Sequence, residues 1–409
     1  MNDLHAIMTK IESILWRDGY DTEWDSSTAS DIAEDLKGSG YGPSSKPAEP
    51  PKRGRKPKAM TFSEAVTRLS KIVVAATKGN RVSAAYQMAR IGPSGIQTNP
   101  VAFPTGEIYT IDYPIDISRT VLVSLPALAK QLKTSEDPTF ELNFMTLKIR
   151  DSAMSTTLDC QDDDWGQFPA ADFTSSHRWT AETVKLVQHT ARVASEDSHR
   201  ASITRVLIEP DGITATDGHR LERQYCPMGT TQPYTMAQHT IDIMASTRQP
   251  VLLALREGKH TYGKGDGYVW ARSGLFTVRI PVTTDFPDYR NVIPKTERPH
   301  TVTLRKSAIE GLIKRIPKED LRLAVTLWLE PGKETLATTP ILTVPVGFEP
   351  SETVTSKIKI GVSPKYLLDL MSMCDDESDL RTIQVVDSFT PIVAKQGEAA
   401  LHLLMPMRV

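Results

Sequence analysis

Residues 180–195 have the sequence TAETVKLVQHTARVAS, in which apolar residues recur every three or four positions after a threonine. This spacing predicts an amphipathic helix that begins beside the threonine. Two other stretches have the same character, FSEAVTRLSKIVVAATKG at 62–79 and KSAIEGLIKRIPKED at 306–320. The chain is therefore expected to contain one structural unit three times, because a recurrence of this kind determines the architecture.

Each unit also contains a second, shorter predicted helix. These helices are SLPALAKQLKTS at 124–135, TMAQHTIDIMAS at 235–246 and SPKYLLDLMSM at 363–373, and two of them open with Ser and an early Pro, which is typical of a helix start. The alternating segments between the helices predict strands: TFELNF at 139–144, YVWAR at 268–272, LFTVRIPV at 275–282 and LRLAVTLWL at 321–329. The phrase QFPAAD around Phe168 returns as DFPDYR around Phe286, after about 118 residues, an interval that suits a domain. We predict three α+β units, at 61–175, 176–296 and 297–409.

The N-terminal sixty residues have a different composition. Residues 1–36 contain one short amphipathic helix, and residues 37–60 are rich in Gly, Ser, Pro and Lys, which predicts a flexible linker. The linker includes PKRGRKPK at 51–58, which resembles an AT-hook that places Arg53 and Arg55 in the minor groove of DNA. Lys56 interrupts the usual Arg-Gly-Arg-Pro core, so a basic linker that contacts any phosphate is an equal alternative.

The overall composition excludes several classes of protein. The 48 Lys and Arg residues nearly balance the 50 Asp and Glu residues. The chain would therefore favour nucleic-acid binding only if its basic residues were concentrated on one face. The three cysteines are far apart and have neither disulfide-framework nor zinc-site spacing. We find no signal peptide and no apolar run of membrane-spanning length, and we expect a cytoplasmic, nucleoid-associated protein with no membrane contact.

Three units with internal sheets leave an edge strand at each end of the array. Exposed edges are normally covered or paired. Head-to-tail association of two chains would pair them and close a ring of six units.

Three motifs carry a resemblance to a known family. They are ITATDGHRLERQ at 213–224, FPDYRNVIPK at 286–295 and AALHLLMPMRV at 399–409. Together they resemble the beta sliding clamp of bacterial DNA polymerase III, over residues 61–409 and more weakly in the first unit. The resemblance implies three repeated DNA-clamp domains, with helices lining a central hole and antiparallel sheets outside. It also implies no catalytic chemistry and no cofactor, and its partners are double-stranded DNA, DNA polymerase, the clamp loader, other proteins with a clamp-binding motif and a second copy of the chain.

Basic residues on the inner helices would attract DNA phosphates without a sequence code, which permits sliding. The candidates are Arg68, Lys71, Lys78, Lys185, Arg192, Lys306, Lys314 and Arg315. For any one of them, ordinary solvent exposure of a helix charge is an equal alternative.

The resemblance further implies a hydrophobic pocket for partner peptides between the second and third units. Its implied residues are Ile203, Thr216, Gly218, His219, Arg220, Leu221, Pro287, Val292, Phe389, Pro391, Leu403, Met405, Pro406, Met407 and Arg408. The methionines would adapt to different peptides, and Arg220 would fix a peptide carbonyl or carboxylate. Asn291 replaces an arginine that is common in the family. Without the resemblance, Leu403 and Met405 would be assigned to an ordinary core.

Two other functions compete with a sliding clamp. A DNA-binding adaptor that forms no ring would account for the weak first unit and the basic linker. A hydrolase that uses Asp217 and His219 lacks a visible nucleophile, phosphate loop or metal-ligand set. The acidic runs at 162–164 and 374–379 lack the spacing of a calcium loop.

Overall fold

The structure, a computed structural model, describes residues 59–78, 83–103, 105–133, 135, 137–152, 154–165, 170–257, 267–283, 285–294, 300–317, 324–372 and 379–408. These residues belong to one compact unit, Lys58–Val409. The predicted N-terminal helix, most of the predicted linker, Arg53 and Arg55 lie outside the described residues. None of the helices in the described ranges has the length and apolar character needed to cross a bilayer.

The described helices occur in pairs along the chain, with one additional short helix near the start. They are α1 Phe62–Ala76, α2 Ser83–Tyr86, α3 Leu125–Leu132, α4 Ala181–Ala191, α5 Gln238–Ser246, α6 Lys306–Lys314 and α7 Pro364–Ser372. Short 3-10 helices lie at Ser198–Ile203 and Tyr289–Asn291.

The predicted helix starts have clear local causes. The Thr61 hydroxyl accepts the N–H of Glu64, whose carboxylate accepts the N–H of Thr61, so α1 begins with a capping box. Thr180 caps α4 in the same way through the N–H of Thr183. One start was wrong: the helix predicted from residue 235 begins at Gln238, because Tyr234–Ala237 pairs as a strand with Arg205–Ile208.

The described strands are antiparallel throughout. In chain order they are β1 Met88–Gly92, β2 Gly95–Thr98, β3 Ile108–Asp112, β4 Val121–Ser124, β5 Thr139–Asn143, β6 Thr146–Arg150, β7 Ser155–Asp159, β8 Gln161–Asp162, β9 His177–Trp179, β10 Arg205–Glu209, β11 Gly212–Thr216, β12 Arg220–Tyr225, β13 Tyr234–Ala237, β14 Val251–Glu257, β15 Gly267–Ser273, β16 Phe276–Pro281, β17 His300–Arg305, β18 Val325–Leu329, β19 Leu336–Thr338, β20 Thr343–Pro345, β21 Ile358–Val362, β22 Leu380–Val385, β23 Ile392–Gln396 and β24 Ala400–Leu404.

Two large sheets are each built from two successive repeats. The first has the order β8-β4-β1-β2-β3-β16-β15-β14-β9 and the second β13-β10-β11-β12-β24-β23-β22-β17. In the first sheet β3 of the first repeat pairs with β16, the last strand of the second repeat. In the second sheet β12 of the second repeat pairs with β24, the last strand of the third repeat. Each large sheet is therefore completed by a strand from the following repeat. The described elements thus recur three times, as α+β units of the predicted kind.

Two smaller sheets remain at the ends of the array. They have the orders β5-β6-β7 and β20-β19-β18-β21. The strand β7 lies at one edge of the first and β20 at one edge of the second, and neither has a partner on its outer side within the described residues.

The helices cover one face of the large sheets, which we call the helix face, and we call the opposite face the open face. Helix residues such as Leu69 and Val187 share one buried core with alternate strand residues such as Val206 and Ile208. Leu207, which lies between Val206 and Ile208 on the same strand, belongs instead to a separate apolar cluster on the open face. The alternation follows from the two-residue period of a strand.

A buried ion pair connects the first and second repeats. Glu107, directly before β3, is fully buried, and its Oε1 lies 3.2 Å from Nη2 of Arg205 on β10. Its Oε2 lies 3.6 Å from the His239 ring on α5. Burial raises the pKa of Glu107, but the contacts with His239 and Arg205 outweigh it and hold the pKa at about 2.

We expect Glu107→Gln to destabilise the fold by about 3 kcal/mol at pH 7, because Arg205 stays buried without a countercharge. Since the folded pKa lies below the unfolded value of 4.5, the stability that Glu107 contributes is present above pH 4.5 and is lost as the pH falls towards 2. Urea denaturation across this range would measure both effects. The control is Glu141→Gln, which removes the exposed pair with Arg150 and should cost less than about 1 kcal/mol. Equal effects of the two substitutions would contradict the assignment.

Candidate functional site

The segment ATDGHRL forms a tight turn between β11 and β12. Asp217 Oδ1 accepts the backbone N–H groups of His219 at 2.8 Å and Arg220 at 3.0 Å. The Thr216 hydroxyl donates to the Arg220 carbonyl at 2.7 Å and accepts the Gly218 N–H at 3.0 Å. Thr216 and Asp217 therefore serve here as turn residues. Their side chains hydrogen-bond nearby backbone N–H and C=O groups, which would otherwise continue the hydrogen bonding between the strands.

Gly218 is required at this turn for two reasons. Its φ of +87° lies in the left-handed region that favours glycine. A Cβ atom at this position would also lie 2.3 Å from Nη2 of Arg200, whose Nη1 donates to the Asp217 carbonyl at 2.7 Å. The sequence analysis did not identify Arg200, which lies in the 3-10 helix after α4.

Arg220 connects the second and third repeats. Its Nε donates to Asp217 Oδ2 at 3.0 Å, its Nη2 donates to the Arg192 carbonyl at 3.1 Å, and its Nη1 donates to Asp369 on α7. The guanidinium also lies 4.7 Å from the centre of the Tyr366 ring. The side chain is only 9% exposed, so in this structure its donors are engaged within the protein rather than turned towards a ligand.

The C-terminal segment lies against this turn. The Met405 N–H donates to the His219 carbonyl at 2.8 Å, which continues the pairing of β12 with β24. The Met407 N–H donates to the Gly361 carbonyl at 2.7 Å and attaches the tail to the four-stranded sheet. The structure thus brings together two motifs that are about 190 residues apart in the sequence.

The FPDYR segment covers the open face beside the same strands. Phe286 and Tyr289 pack on an apolar cluster formed by Leu207, Leu221, Val393, Leu401 and Leu403. The Tyr289 hydroxyl donates to Glu209 Oε2 at 2.7 Å, and Arg290 donates to Glu209 Oε1 at 2.6 Å. Burial raises the pKa of Glu209, but the bonds from Tyr289, Arg290 and Arg223 outweigh it, and the pKa is lowered overall. The segment is fixed as a lid over a core.

The residues assigned to the pocket by resemblance differ in exposure. The buried ones are Ile203, Thr216, Arg220, Leu221 and Leu403, and the half-buried ones are Pro391 and Pro406. The exposed ones are Gly218, His219, Pro287, Val292, Phe389, Met405, Met407 and Arg408. Phe389 is 81% exposed, and the Asp387 carboxylate holds its backbone N–H at 2.8 Å. Val292, Phe389, Met405 and Met407 thus form the exposed apolar part of this set, which we call the C-terminal strip.

A polar cavity of about 470 Å³ lies on the helix side of the ATDGHRL turn. Of the predicted pocket residues, His219 and Arg220 line it. The other lining residues include Arg192, which was predicted to contact DNA, and Arg200, Lys365, Tyr366 and Asp369, which were not predicted at all. The spacing of Tyr366 and Asp369 by three residues in SPKYLLDL could have indicated a shared helix face.

Glu222, one of the residues that line this cavity, and His402 are both buried titratable side chains. Glu222 on β12 and His402 on β24 are directly opposite each other in the strand register. Burial raises the pKa of Glu222 and lowers the pKa of His402 to about 4. Within the described part of the chain, Glu222 Oε2 has no hydrogen-bond partner. Burial therefore favours the neutral form of both groups.

The basic residues predicted to face DNA lie on the helices or at their ends. Arg68, Lys71, Lys78, Lys185, Arg192, Lys314 and Arg315 are exposed, and Lys306 is half-buried. Arg68 and Lys71 line a cavity of about 980 Å³ on the helix face, together with Lys133 after α3 and Arg248 after α5. Glu64 and Asp242 offset part of this charge. Lys133 and Arg248 were not predicted, although Lys133 lies within the helix predicted at 124–135 and Arg248 follows the one predicted at 235–246.

The described residues contain no group of three or more His, Cys, Asp or Glu side chains placed to hold a metal ion. Asp217 is engaged by the turn and by Arg220.

Comparisons with known proteins place this geometry in context. No protein-family model matches the chain. Curated relatives include the beta sliding clamp of Salmonella typhimurium, which is 24% identical over 59% of this chain and 70% of the relative. Similar solved structures include the DNA polymerase III beta subunit of Thermotoga maritima, with a TM-score of 0.65, 15% identity and coverage of 86% of this chain and 99% of that one. The DNA polymerase sliding clamp of Bacillus subtilis has a TM-score of 0.64, 14% identity and coverage of 85% and 98%.

We expect Arg220→Gln to lower the free energy of unfolding by about 3 kcal/mol, because it breaks a buried charge network between two repeats. His219→Ala changes the exposed neighbour of Arg220 in the same turn, and its free energy of unfolding should stay within about 0.5 kcal/mol of the parent value. Urea denaturation followed by circular dichroism would compare the two. An Arg220→Gln protein as stable as the parent would show that this network does not hold the repeats together.

Proposed function

Because this chain has the sliding-clamp fold of the DNA polymerase III beta subunit and is similar in sequence to bacterial beta sliding clamps, we propose that it is a DNA sliding clamp. In this proposal two chains form a ring around duplex DNA, and the ring tethers polymerases and other DNA-handling proteins. The chain contributes binding surfaces and no catalytic chemistry.

The observation that carries the proposal is the correspondence between paired and unpaired edge strands. The strands β3 and β12 end the series β4-β1-β2-β3 and β13-β10-β11-β12, and β20 ends the equivalent series β21-β18-β19-β20. The strands β16 and β24 end the series β14-β15-β16 and β22-β23-β24, and β7 ends the equivalent series β5-β6-β7. The chain pairs β3 with β16 and β12 with β24, so the strands left over are β20 and β7.

Pairing β20 of one chain with β7 of another would repeat the contact that the chain already makes twice internally. Three repeats in each of two chains would then close a ring of six, since a heterologous contact closes when its rotation returns to the start. Unpaired strand edges favour such an association. The helix face would line the hole, and its lysines and arginines would attract phosphates through a screened, non-directional force.

Thr157→Pro in β7 tests the dimer and the ring together. Asp151 and Met154 exchange backbone hydrogen bonds of 2.9 and 3.3 Å at the turn between β6 and β7. The alternation of an antiparallel ladder then directs the Thr157 N–H away from β6. A proline there removes only an outward donor. In analytical ultracentrifugation we expect the parent to sediment as a dimer, at twice the chain mass of 45.3 kDa. We expect the variant to sediment as a monomer, at the mass of one chain.

The loaded parent should remain on circular DNA and leave after linearisation, and added salt should not release it from the circle, because topology rather than affinity retains it. Thr157→Val keeps the N–H and serves as the control for both measurements. A parent protein that leaves circular and linear DNA at the same rate would exclude a clamp. Monomeric parent protein at micromolar concentration would favour a DNA-binding adaptor without a ring.

We also propose that the C-terminal strip receives the partner peptides. Its four apolar side chains are exposed, and exposed methionines adapt to different peptides. The backbone bonds of Met405 and Phe389 fix their positions without occupying their side chains. In this assignment Arg220 positions the turn whose His219 carbonyl accepts the Met405 N–H, and Asn291 contributes no charge at the rim of the strip.

Met405→Ala should weaken the binding of a labelled clamp-binding peptide from a DNA polymerase of the same genome by at least about ten-fold, as expected for a central apolar contact. The main-chain bond to His219 is kept, so the fold and retention on circular DNA should not change. Ile341→Ala removes a 60% exposed apolar residue elsewhere and should bind as the parent does. Fluorescence anisotropy would measure the affinities. Unchanged peptide affinity of Met405→Ala would place the site elsewhere.

A further inference from the structure

One position recurs on the open face of all three repeats. In each repeat the second strand of the equivalent series, β1, β10 or β18, has an open-face residue directly before its last apolar residue of the helix-side core. These open-face residues are Arg90, Leu207 and Trp328. The local sequences agree as well, since Leu-Ile-Glu-Pro at 207–210 returns as Trp-Leu-Glu-Pro at 328–331. The position is therefore structurally equivalent in the three repeats.

The chain itself covers this position in the first two repeats. In the first, Asp163 pairs with Arg90 at 2.8 Å, and the centre of the Trp165 ring lies 5.7 Å from the guanidinium. In the second, the lid formed by the FPDYR segment packs on Leu207. The Arg90 side chain is consequently only 14% exposed and Leu207 only 7%.

The third repeat leaves the same position open. Trp328 is 37% exposed, and Leu336, directly opposite it on β19, is 38% exposed. Pro345 on β20 continues the row and is also exposed. No segment among the described residues covers these three side chains, which we call the Trp328 row. A contiguous apolar row that three adjoining strands expose is typical of an interaction surface.

Lysines lie at one end of the Trp328 row. Lys359 on β21 is directly opposite Trp328, and its ammonium lies 5.4 Å from the centre of the indole ring. No carboxylate in the described part of the chain pairs with Lys359. Lys333 and Lys357 both pair with Glu330, at 2.6 and 3.3 Å. Three lysines against one glutamate leave two positive charges, which favour a negatively charged partner.

We propose that the Trp328 row is a docking surface for an acidic, aromatic segment of a partner protein. The aromatic rings of that segment pack on Trp328 and Leu336, as the FPDYR lid packs on Leu207, and an adjoining carboxylate faces Lys359. The chain's own lid is already engaged on the second repeat, so the segment comes from another protein. This surface is separate from the C-terminal strip and from the helix face.

Isothermal titration of the full chain with the acetylated, amidated peptide Asp-Phe-Pro-Asp-Tyr would test the proposal. The probe copies residues 285–289, which include both aromatic residues of the lid. It should bind saturably. Trp328→Ala should weaken binding about ten-fold because it removes the central ring contact, and Lys359→Gln about three-fold because it removes an exposed charge. Phe144→Ala and Lys395→Gln change an exposed aromatic residue and an exposed lysine elsewhere and should have no effect.

Four outcomes would overturn the proposal. They are no saturable binding at millimolar probe concentration, an affinity that neither Trp328→Ala nor Lys359→Gln lowers, a probe with both Asp residues replaced by Asn that binds as tightly, and weakening by Met405→Ala alone, which would place the peptide on the C-terminal strip. Sedimentation of the same variants adds a fifth. If Trp328→Ala converts a dimeric parent into a monomer, the row belongs to a contact between copies of the chain.

The titration requires neither DNA nor a closed ring. A failure of the docking proposal therefore leaves the sliding experiment unaffected, and a failure of the clamp proposal leaves the titration unaffected. Circular dichroism of Trp328→Ala and Lys359→Gln should match the parent, because both side chains are exposed.

Discussion

The pairing of one repeat with the last strand of the next is the contact on which the rest of the structure depends. It occurs between β3 and β16 and between β12 and β24. Each pairing extends a half-sheet into a larger sheet and aligns two helix pairs on the same face. It also positions the turn, the tail and the two junction cavities. Within the described residues, the same rule leaves the outer edges of β7 and β20 unpaired, and these are the edges that the proposed ring brings together.

The two junctions use the same backbone arrangement with different side-chain chemistry. Glu107 precedes β3 and is held by Arg205 and His239, whereas Arg220 begins β12 and is held by Asp217 and Asp369. Each is a buried charge with at least one partner from another repeat: Arg205 and His239 for Glu107, and Asp369 for Arg220. A buried ion pair of this kind adds little net stability compared with apolar packing. Separating its two partners costs several kcal/mol, however, because it leaves an uncompensated buried charge, so the pair disfavours any other alignment of the two repeats. The open faces differ as well, since the second junction carries the apolar cluster beneath Phe286 and Tyr289, whereas Arg279 lies opposite Trp270 at the first.

Several structural features could be predicted from local sequence. The starts of α1 and α4 follow from the caps at Thr61 and Thr180, because capping depends on residues within one turn. The strand at Tyr234–Ala237 was missed, since its apolar residues fit a helix equally well and only pairing with β10 decides the matter. Lys133, Arg200, Arg248, Tyr366 and Asp369 were missed because their positions matter only once distant elements meet.

The sequence by itself determined the threefold recurrence and the amphipathic helices, because periodicity and capping act over a few residues. The tertiary structure alone decided that Arg220 is an internal tie and that the Met405 N–H donates to the His219 carbonyl. Burial and long-range strand register set these properties. Neither can be computed from the spacing of residues along one segment, because both depend on which distant strand completes the sheet.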